Sequence, residues 1–362
     1  MPAEEEIRKL EEEIAGTEYN KATQKHIGML KAKLAKLKTQ TEERRSKGKR
    51  AGPSYSVKKS GDATALLVGF PSVGKSTLLN KLTDAKSKVV AYDFTTLDVI
   101  PGVMEYNKTR IQILDIPGII EGAAGGKGLG RKVFSVVRNA DLIIILLDAM
   151  NPEQQMKIIL SELYNAGFRL NQRQPEIKIS KKKTGGLNIV SSLPLTKMDA
   201  ETIRNILNEF GIFNADVAVG GDITPDQLID SLAKNRVYVP AITAINKIDM
   251  VGMERLNGIC RNMDAAVLIS ALNDSNLDKL REVIWGKLNF IRVYMKKRGR
   301  EADMENPVIV KSGSNAEDVC LKIHKDFAKK FKSAKVWGSS KFPGQKVGLD
   351  YALKDGDVVE LC

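Results

Sequence analysis

The sequence is poor in the residues on which many enzymes and secreted domains rely. Its 362 residues hold two histidines, His26 and His324, and three cysteines, Cys260, Cys320 and Cys362. The cysteines lack CxxC spacing, which argues against a disulfide framework or a zinc site, so reduced, structural thiols are expected. Two histidines in unrelated segments leave little imidazole for catalysis. Long apolar runs are missing as well. The longest, residues 142–147, is far short of the ~20 residues that cross a bilayer. The start, with Glu4, Glu5 and Glu6 and no apolar stretch behind a basic region, does not resemble a secretory signal, and a cytoplasmic location is expected. Negative charge is also short, since 57 Lys/Arg stand against 44 Asp/Glu, a net charge of +13. Such an imbalance points to a polyanionic partner such as RNA or an acidic membrane face. Between Lys21 and Lys59 thirteen Lys/Arg face only Glu42 and Glu43, a local excess of +11. With so few acids nearby, ion-pair networks do not account for that excess, and RNA contact is the better reading.

What is present is strongly patterned. Ile7, Leu10 and Ile14, and later Ile27, Leu30, Leu34 and Leu37, recur at steps of three and four, which predicts two helices broken near Gly16. Residues 46–62, rich in Gly, Pro, Ser and Lys, read as a linker or mobile arm. Beyond it, short apolar strands at 63–68, 110–114, 142–147, 241–245 and 266–269 alternate with helical stretches. That rhythm predicts an α/β fold with a doubly wound, mostly parallel sheet. Residues 165–238 interrupt it as an inserted α+β subdomain, with a hairpin expected around Gly185-Gly186 and a capped helix over 199–210. After Leu288 a small mixed α+β module is expected, running from the segment 290–295 through a helix at 316–331 to strands at 335–338 and 357–361. The domains are therefore drawn at 1–60, a basic helical region and linker; 61–290, carrying the insertion; and 291–362.

The chemistry lies in four elements. Gly69-Phe-Pro-Ser-Val-Gly74-Lys75-Ser76 matches GxxxxGK[ST] between a strand and a helix, the context that identifies a phosphate-binding loop. Gly69, Pro71, Ser72, Val73, Gly74, Lys75, Ser76 and Thr77 are expected to enclose the phosphates. Backbone N–H groups at the positive end of the helix cradle them, Lys75 reaches the β- and γ-phosphates, and the Ser76 hydroxyl ligates Mg²⁺. Asp115-Ile-Pro-Gly118 follows the next parallel strand; Asp115 is expected to hold Mg²⁺ through water and the Gly118 N–H to sense the γ-phosphate. Between these elements, Thr96 of Tyr92-Asp-Phe-Thr-Thr-Leu97 is favoured over Thr95 as the switch threonine that closes on Mg²⁺. Ser76, Thr96 and Asp115 form the expected metal set, and Lys75, Thr96 and Gly118 the expected catalytic set. Asn246-Lys247-Ile248-Asp249 selects the base, because the Asp249 carboxylate can accept from the N1–H and N2 amino group of guanine, which adenine does not offer. Asn246 braces the loop, Lys247 lies over the base, and Ser270-Ala271 presents an N–H to the guanine O6. Alone, DxxG is a common strand-end turn and NKID a solvated one; their order along the chain gives them weight.

GFPSVGKSTLL, YDFTTLD, DIPGIIEGAAGGKGLGR and NKID, together with ETIRNILNEFGIFNADV in the insertion and NRVYVPAITAINKID after it, resemble the developmentally regulated GTP-binding protein family, Obg-type GTPases of the translation-factor class. Residues 291–362 resemble its TGS module, a ubiquitin-like β-grasp. The resemblance implies binding of GTP and GDP with Mg²⁺, GTP hydrolysis, and association with the ribosome or an RNA through the basic N-terminal region and the TGS module; a stabilising partner protein is a further candidate, and no membrane partner is expected. The position after DxxG, where many small GTPases carry a water-orienting glutamine, is Ile119, so slow intrinsic hydrolysis is expected. Relatives with an apolar residue there often recruit K⁺ beside the phosphates, commonly with an asparagine where this chain has Ser72, so K⁺ stimulation is expected too. The glycine-rich run 121–130 suits a nucleotide-ordered switch. The main alternative is an RNA-binding protein that uses guanine nucleotide structurally with negligible turnover. A small-molecule kinase or ATPase has no need of guanine readout.

Overall fold

The computed structural model describes residues 2–18, 20, 23–47, 61–83, 100–115, 140–233, 236–263, 266–324 and 333–362. The expectations for Thr96, Gly118, Ile119, the run 121–130 and the arm at 48–60 lie outside the described residues. In chain order the elements are α1 (Pro2–Gly16), α2 (Gln24–Lys47), β1 (Ala63–Gly69), α3 (Lys75–Leu82), β2 (Ile100–Tyr106), β3 (Thr109–Asp115), β4 (Leu142–Asp148), α4 (Pro152–Asn165), β5 (Phe168–Leu170), β6 (Ile177–Lys181), β7 (Leu187–Ser191), α5 (Ala200–Glu209), β8 (Ala215–Val219) and α6 (Pro225–Ala233). They continue as β9 (Val237–Val239), β10 (Ala241–Asn246), α7 (Met253–Asn262), β11 (Val267–Leu268), α8 (Leu277–Leu288), β12 (Phe290–Met295), β13 (Val308–Lys311), α9 (Ala316–Ile323), β14 (Ala334–Trp337), β15 (Gln345–Val347) and β16 (Val358–Leu361). They fall into two compact units, residues 1–54 with 167–238 and residues 55–166 with 239–362.

In the larger unit a six-stranded sheet has the order β11-β10-β4-β1-β3-β2. All neighbours are parallel except β2 and β3, which form an antiparallel ribbon at one edge. Strands of a parallel sheet covered on both faces read as unbroken apolar runs rather than alternating ones. So it is here: every residue of β1 is buried, and so is Leu142–Leu147 of β4. One face packs Ala65, Leu67, Ile111, Ile113, Ile144 and Ala244 against Leu78, Leu79 and Leu82 of α3 and Leu280 and Ile284 of α8. The strands therefore end together, and their carboxyl ends present the loops that carry the motifs.

The TGS-like part follows α8 directly, through Asn289 in the left-handed region (φ 53°). Its five strands run β13-β12-β16-β14-β15. Ile291, Val293, Val310, Val336 and Val359 pack on Val319 of α9, and the helix starts with a reciprocal Asn315–Asp318 capping box. Two aspartates fix this part to the amino ends of β1 and β4. Asp62 accepts from the Arg110 N–H at 3.0 Å and from Lys322 Nζ at 3.2 Å. Asp141 accepts from the Thr64 N–H at 3.0 Å and lies 3.7 Å from Lys311 Nζ. Each carboxylate thus bonds sheet backbone with one oxygen and a TGS-side lysine with the other.

The smaller unit corrects two expectations. The strands flanking Gly185-Gly186 do not pair as a hairpin. β8 lies between them, antiparallel to β6 and parallel to β7. It takes the centre because Ala215, Val217 and Val219 are all buried against α5 and α6, and the loop spans its end, with the Lys182 N–H donating to Asn214 O and the Ala215 N–H to Gly186 O. The basic helix α2 is not short of acidic partners either. Each of its lysines from Lys25 to Lys38 faces a carboxylate: Lys25 with Glu201, Lys31 with Asp226, Lys33 with Glu6, Lys36 with Glu209 and Lys38 with Glu11. Three of these acids come from the insertion, on which α2 packs through Ala32 and Ala35. Such partly exposed pairs each contribute less than about 1 kcal/mol, yet they offset five of the basic residues that made up the apparent charge excess. A buried ionic triad completes this unit: Asp230, 6% exposed, receives Arg169 Nε at 2.5 Å and Nη2 at 2.8 Å and Arg236 Nε at 2.7 Å.

Candidate nucleotide site

β1 ends at Gly69, and the chain turns through residues 70–74 into α3. Ser72 (φ 62°) and Gly74 (φ 95°) both occupy the left-handed region. Gly74 is obligatory for a second reason: a Cβ there would lie 2.4 Å from Asn246 Nδ2. No side chain caps α3, and its first turn carries no acid. The amides of that turn are thus left for an anion, at the positive end of the helix dipole. Lys75 Nζ donates to the carbonyls of Gly69 at 3.0 Å and Phe70 at 2.9 Å, so the ammonium is held over the loop.

Asp115 closes β3, next to β1 in the sheet, and is 3% exposed. Its Oδ2 lies 3.5 Å from Ser76 Oγ. Its Oδ1 has no hydrogen-bond partner among the described residues. Burial pushes the Asp115 carboxyl up from the ordinary carboxylate range, against the Lys75 charge and the Ser76 hydrogen bond, which pull it down. A buried, half-unpartnered carboxylate beside a serine hydroxyl is a hard oxygen donor set that fits Mg²⁺.

β10 brings the third element. Asn246, 3% exposed, donates from Nδ2 to Val73 O at 2.8 Å and accepts at Oδ1 from the Ala271 N–H at 2.9 Å. One side chain thereby ties the phosphate loop to the segment after β11. Lys247 sits in the left-handed region (φ 66°), and its Nζ is 2.7 Å from Asp148 Oδ2. Asp148 is the last residue of β4, and its Oδ1 accepts from the Met150 N–H at 2.9 Å. Asp249 stands exposed on a 3-10 turn, Ile248–Met250. Ser270 and Ala271 are buried, and Ser270 exchanges both backbone hydrogen bonds with Ser275.

The structure therefore brings Gly69, Pro71, Ser72, Val73, Gly74, Lys75, Ser76, Thr77, Asp115, Asn246, Lys247, Asp249, Ser270 and Ala271 to one end of one sheet. Asp148 was not singled out from sequence. Its only signal is an acid closing an apolar strand, the same position that Asp115 has on β3. Fold and site together define a P-loop GTPase with a C-terminal TGS domain.

Comparison with known proteins is consistent with this along the whole chain. Residues 64–182 match the family described as 50S ribosome-binding GTPase, residues 184–290 the family described as the C-terminal region of that domain, and residues 291–362 the TGS domain. An uncharacterized GTP-binding protein of Methanocaldococcus jannaschii is 52% identical over 366 residues, covering 100% of this chain and 93% of its own. Developmentally-regulated GTP-binding protein 2 of Homo sapiens is 45% identical over 358 residues, covering 99% of this chain and 98% of its own. Among solved structures, the Schizosaccharomyces pombe YchF GTPase aligns at 16% identity over 84% of this chain and 99% of its own, with a TM-score of 0.47. The chain belongs to the developmentally regulated GTP-binding protein family.

Proposed function

We propose that this chain is a regulatory GTPase that hydrolyses GTP slowly and acts on the ribosome or a related RNA. The observation that carries the nucleotide part is the Asn246 bridge, which joins the phosphate loop and the Ser270-Ala271 segment beside Asp249. In this reading the N–H groups of residues 72–77 and the Lys75 ammonium hold the β- and γ-phosphates. Lys75 must then leave the Gly69 and Phe70 carbonyls for the incoming oxygens. Asp249 reads the guanine edge, Lys247 stacks on the ring, and Ala271 offers its N–H to O6. Ser76 and Asp115, with Thr96, would hold Mg²⁺, which neutralises charge on the phosphates when bound. Thr96 and Gly118 would register the γ-phosphate. The position after DxxG is the apolar Ile119, so no side chain there can orient water; K⁺ beside Ser72 is the proposed supplement.

The RNA part is supported by the net charge of +13 and by the description of the matching family, 50S ribosome-binding GTPase. Single-turnover hydrolysis of GTP, with Lys75→Ala as control, tests the first part. Loss of turnover in the variant is expected, and unchanged turnover would refute the assigned site. Equal rates in Na⁺ and K⁺ would remove the potassium proposal. Sedimentation with ribosomes in GTP-analogue and GDP states tests the second, and absence of co-sedimentation in both states at low salt would sink it.

A further inference from the structure

The TGS-like part carries a surface that the nucleotide site does not use. We propose that the β14–β15 loop, residues 338–344, is a single-stranded RNA-binding site on which a base stacks against Phe342 while Lys296, Lys341 and Lys346 contact the flanking phosphates. The inference rests on the RNA reading above and gives it a place in the fold.

Phe342 is 61% exposed, and a lone exposed aromatic is ordinary. What sets it apart is how firmly its loop is held. Asp357, 1% exposed, accepts from the Ser339 N–H at 2.7 Å, the Ser339 hydroxyl at 2.6 Å and the Lys354 N–H at 2.8 Å. The Ser340 hydroxyl lies 2.6 Å from Val336 O and 2.9 Å from Phe342 O, the Lys341 N–H donates to Gln345 Oε1 at 3.0 Å, and the Gln345 N–H donates to Phe342 O at 3.1 Å. Gly344 lies against the Trp337 indole so closely that a Cβ would come within 3.0 Å of the ring. The loop is thus ordered before any partner arrives, and little entropy remains to be lost on binding.

The charge around it is arranged for an anion. Lys296 Nζ stands 4.3 Å above the Trp337 ring and Lys341 Nζ 5.5 Å from the Phe342 ring. Lys335 and Lys346 face each other directly across β14 and β15, a like-charge pairing that destabilises a sheet by itself. Glu360 lies 3.2 Å from Lys335, whereas Lys346 has no ion-pair partner among the described residues. Two of the nearby acids are engaged elsewhere: Asp357 is buried in the loop hydrogen bonds, and Asp303 accepts from the Glu305 and Asn306 N–H groups of its own turn. Exposed aromatics among lysines are how proteins hold single strands, since every base offers a π-face and every linkage a charge. A duplex hides its base faces, and an acidic peptide has no use for the ring.

The test uses the full-length protein loaded with a non-hydrolysable GTP analogue and fluorescein-labelled 12-nucleotide single-stranded RNA, read by anisotropy against salt. Phe342→Ala is expected to weaken binding about 5- to 20-fold at unchanged salt slope, and Phe342→Tyr to restore it to within about twofold. Lys341→Ala and Lys346→Ala are each expected to lower the slope by about 0.7. Affinity of each variant for a fluorescent GDP, measured before the analogue is loaded, is expected to stay at the wild-type value. Undiminished RNA binding by Phe342→Ala, equal affinity for the duplex form, or displacement of the RNA by polyglutamate at matched charge would each overturn the proposal. Absence of RNA binding by the wild-type protein itself would overturn the RNA reading on which the proposal rests, so the two failures are distinguishable.

Discussion

Asn246→Asp is the most discriminating change the structure offers. The substitution preserves shape and keeps an oxygen to accept from the Ala271 N–H, but it removes the donor that reaches Val73 O at 2.8 Å. A carboxylate oxygen then faces a carbonyl oxygen at a site that is 3% exposed. Leaving one buried acceptor unsatisfied costs about 1–3 kcal/mol, and the repulsion adds to it. A total of about 2–4 kcal/mol is expected. Both bonds of the bridge are made within the protein, so part of the loss lowers the melting temperature, by a few °C at about 2–4 °C per kcal/mol. The remainder weakens nucleotide binding, and each 1.4 kcal/mol is tenfold in Kd. Titration of a fluorescent GDP, with thermal melts in its presence and absence, reads both parts. If Asn246→Asp binds GDP within about twofold of wild type and melts within about 1 °C of it, Asn246 is not the bridge described here.

Three further outcomes follow from individual contacts. Asp148→Ala releases Lys247 from its 2.7 Å partner and is expected to weaken GDP binding about tenfold, whereas Asp148→Asn, which retains an acceptor, should lose less than about threefold; equal losses would show that Asp148 does not position Lys247. Asp199→Ala removes the cap of α5, which accepts from the Thr202 N–H at 2.7 Å, and should lower stability to urea by about 1 kcal/mol at pH 7. Hydrogen bonds from Thr202 hold the Asp199 carboxyl below its ordinary value, so its contribution is present above the unfolded value of about 3.9 and fades as pH falls below it; a difference between wild type and variant that persists undiminished at pH 3 would contradict the assignment. Asp230→Ala strands the Arg169 and Arg236 guanidinium groups in the smaller unit and should cost about 3–5 kcal/mol, while replacing all three by apolar residues of similar size should recover most of it; urea midpoints measure both.

The parts of the fold that were legible in the sequence are those that depend on neighbours in the chain. The central strands could be read from apolar runs because both faces of β1 and β4 are buried, and each extends one residue beyond its expected end. The phosphate loop could be read because its glycines and lysine serve one short turn. Asp199 announced α5 because a cap acts three residues away. What was not legible depends on distant segments. The partners of Lys25, Lys31 and Lys36 are supplied by the insertion, so local counting overstated the free charge. The split pair β6 and β7 required knowing that β8 would enter between them. The helix expected at 316–331 is seen as Ala316–Ile323, with residues 325–332 outside the described set.

The nesting of the two units has a bearing on how the chain is made. The smaller unit draws on residues 1–54 and 167–238, and the larger one on 55–166 and 239–362, so each is interrupted by the other. A ribosome synthesising this protein delivers α2 early, yet α5 and α6, which cover Ala32 and Ala35, emerge much later. During that interval only α1 is present to pack on α2, and the face of α2 that carries Ala32 and Ala35 lacks the helices that cover it. Nor can β4 receive β10, the strand that carries Asn246, until the smaller unit has been fully translated. On the proposed assignment, guanine recognition is therefore the last property of the central sheet to be assembled, and a nascent chain stalled before residue 240 has its phosphate loop without the residues assigned to the base. Long-range closures of this kind slow folding and prolong the exposure of unpaired edges.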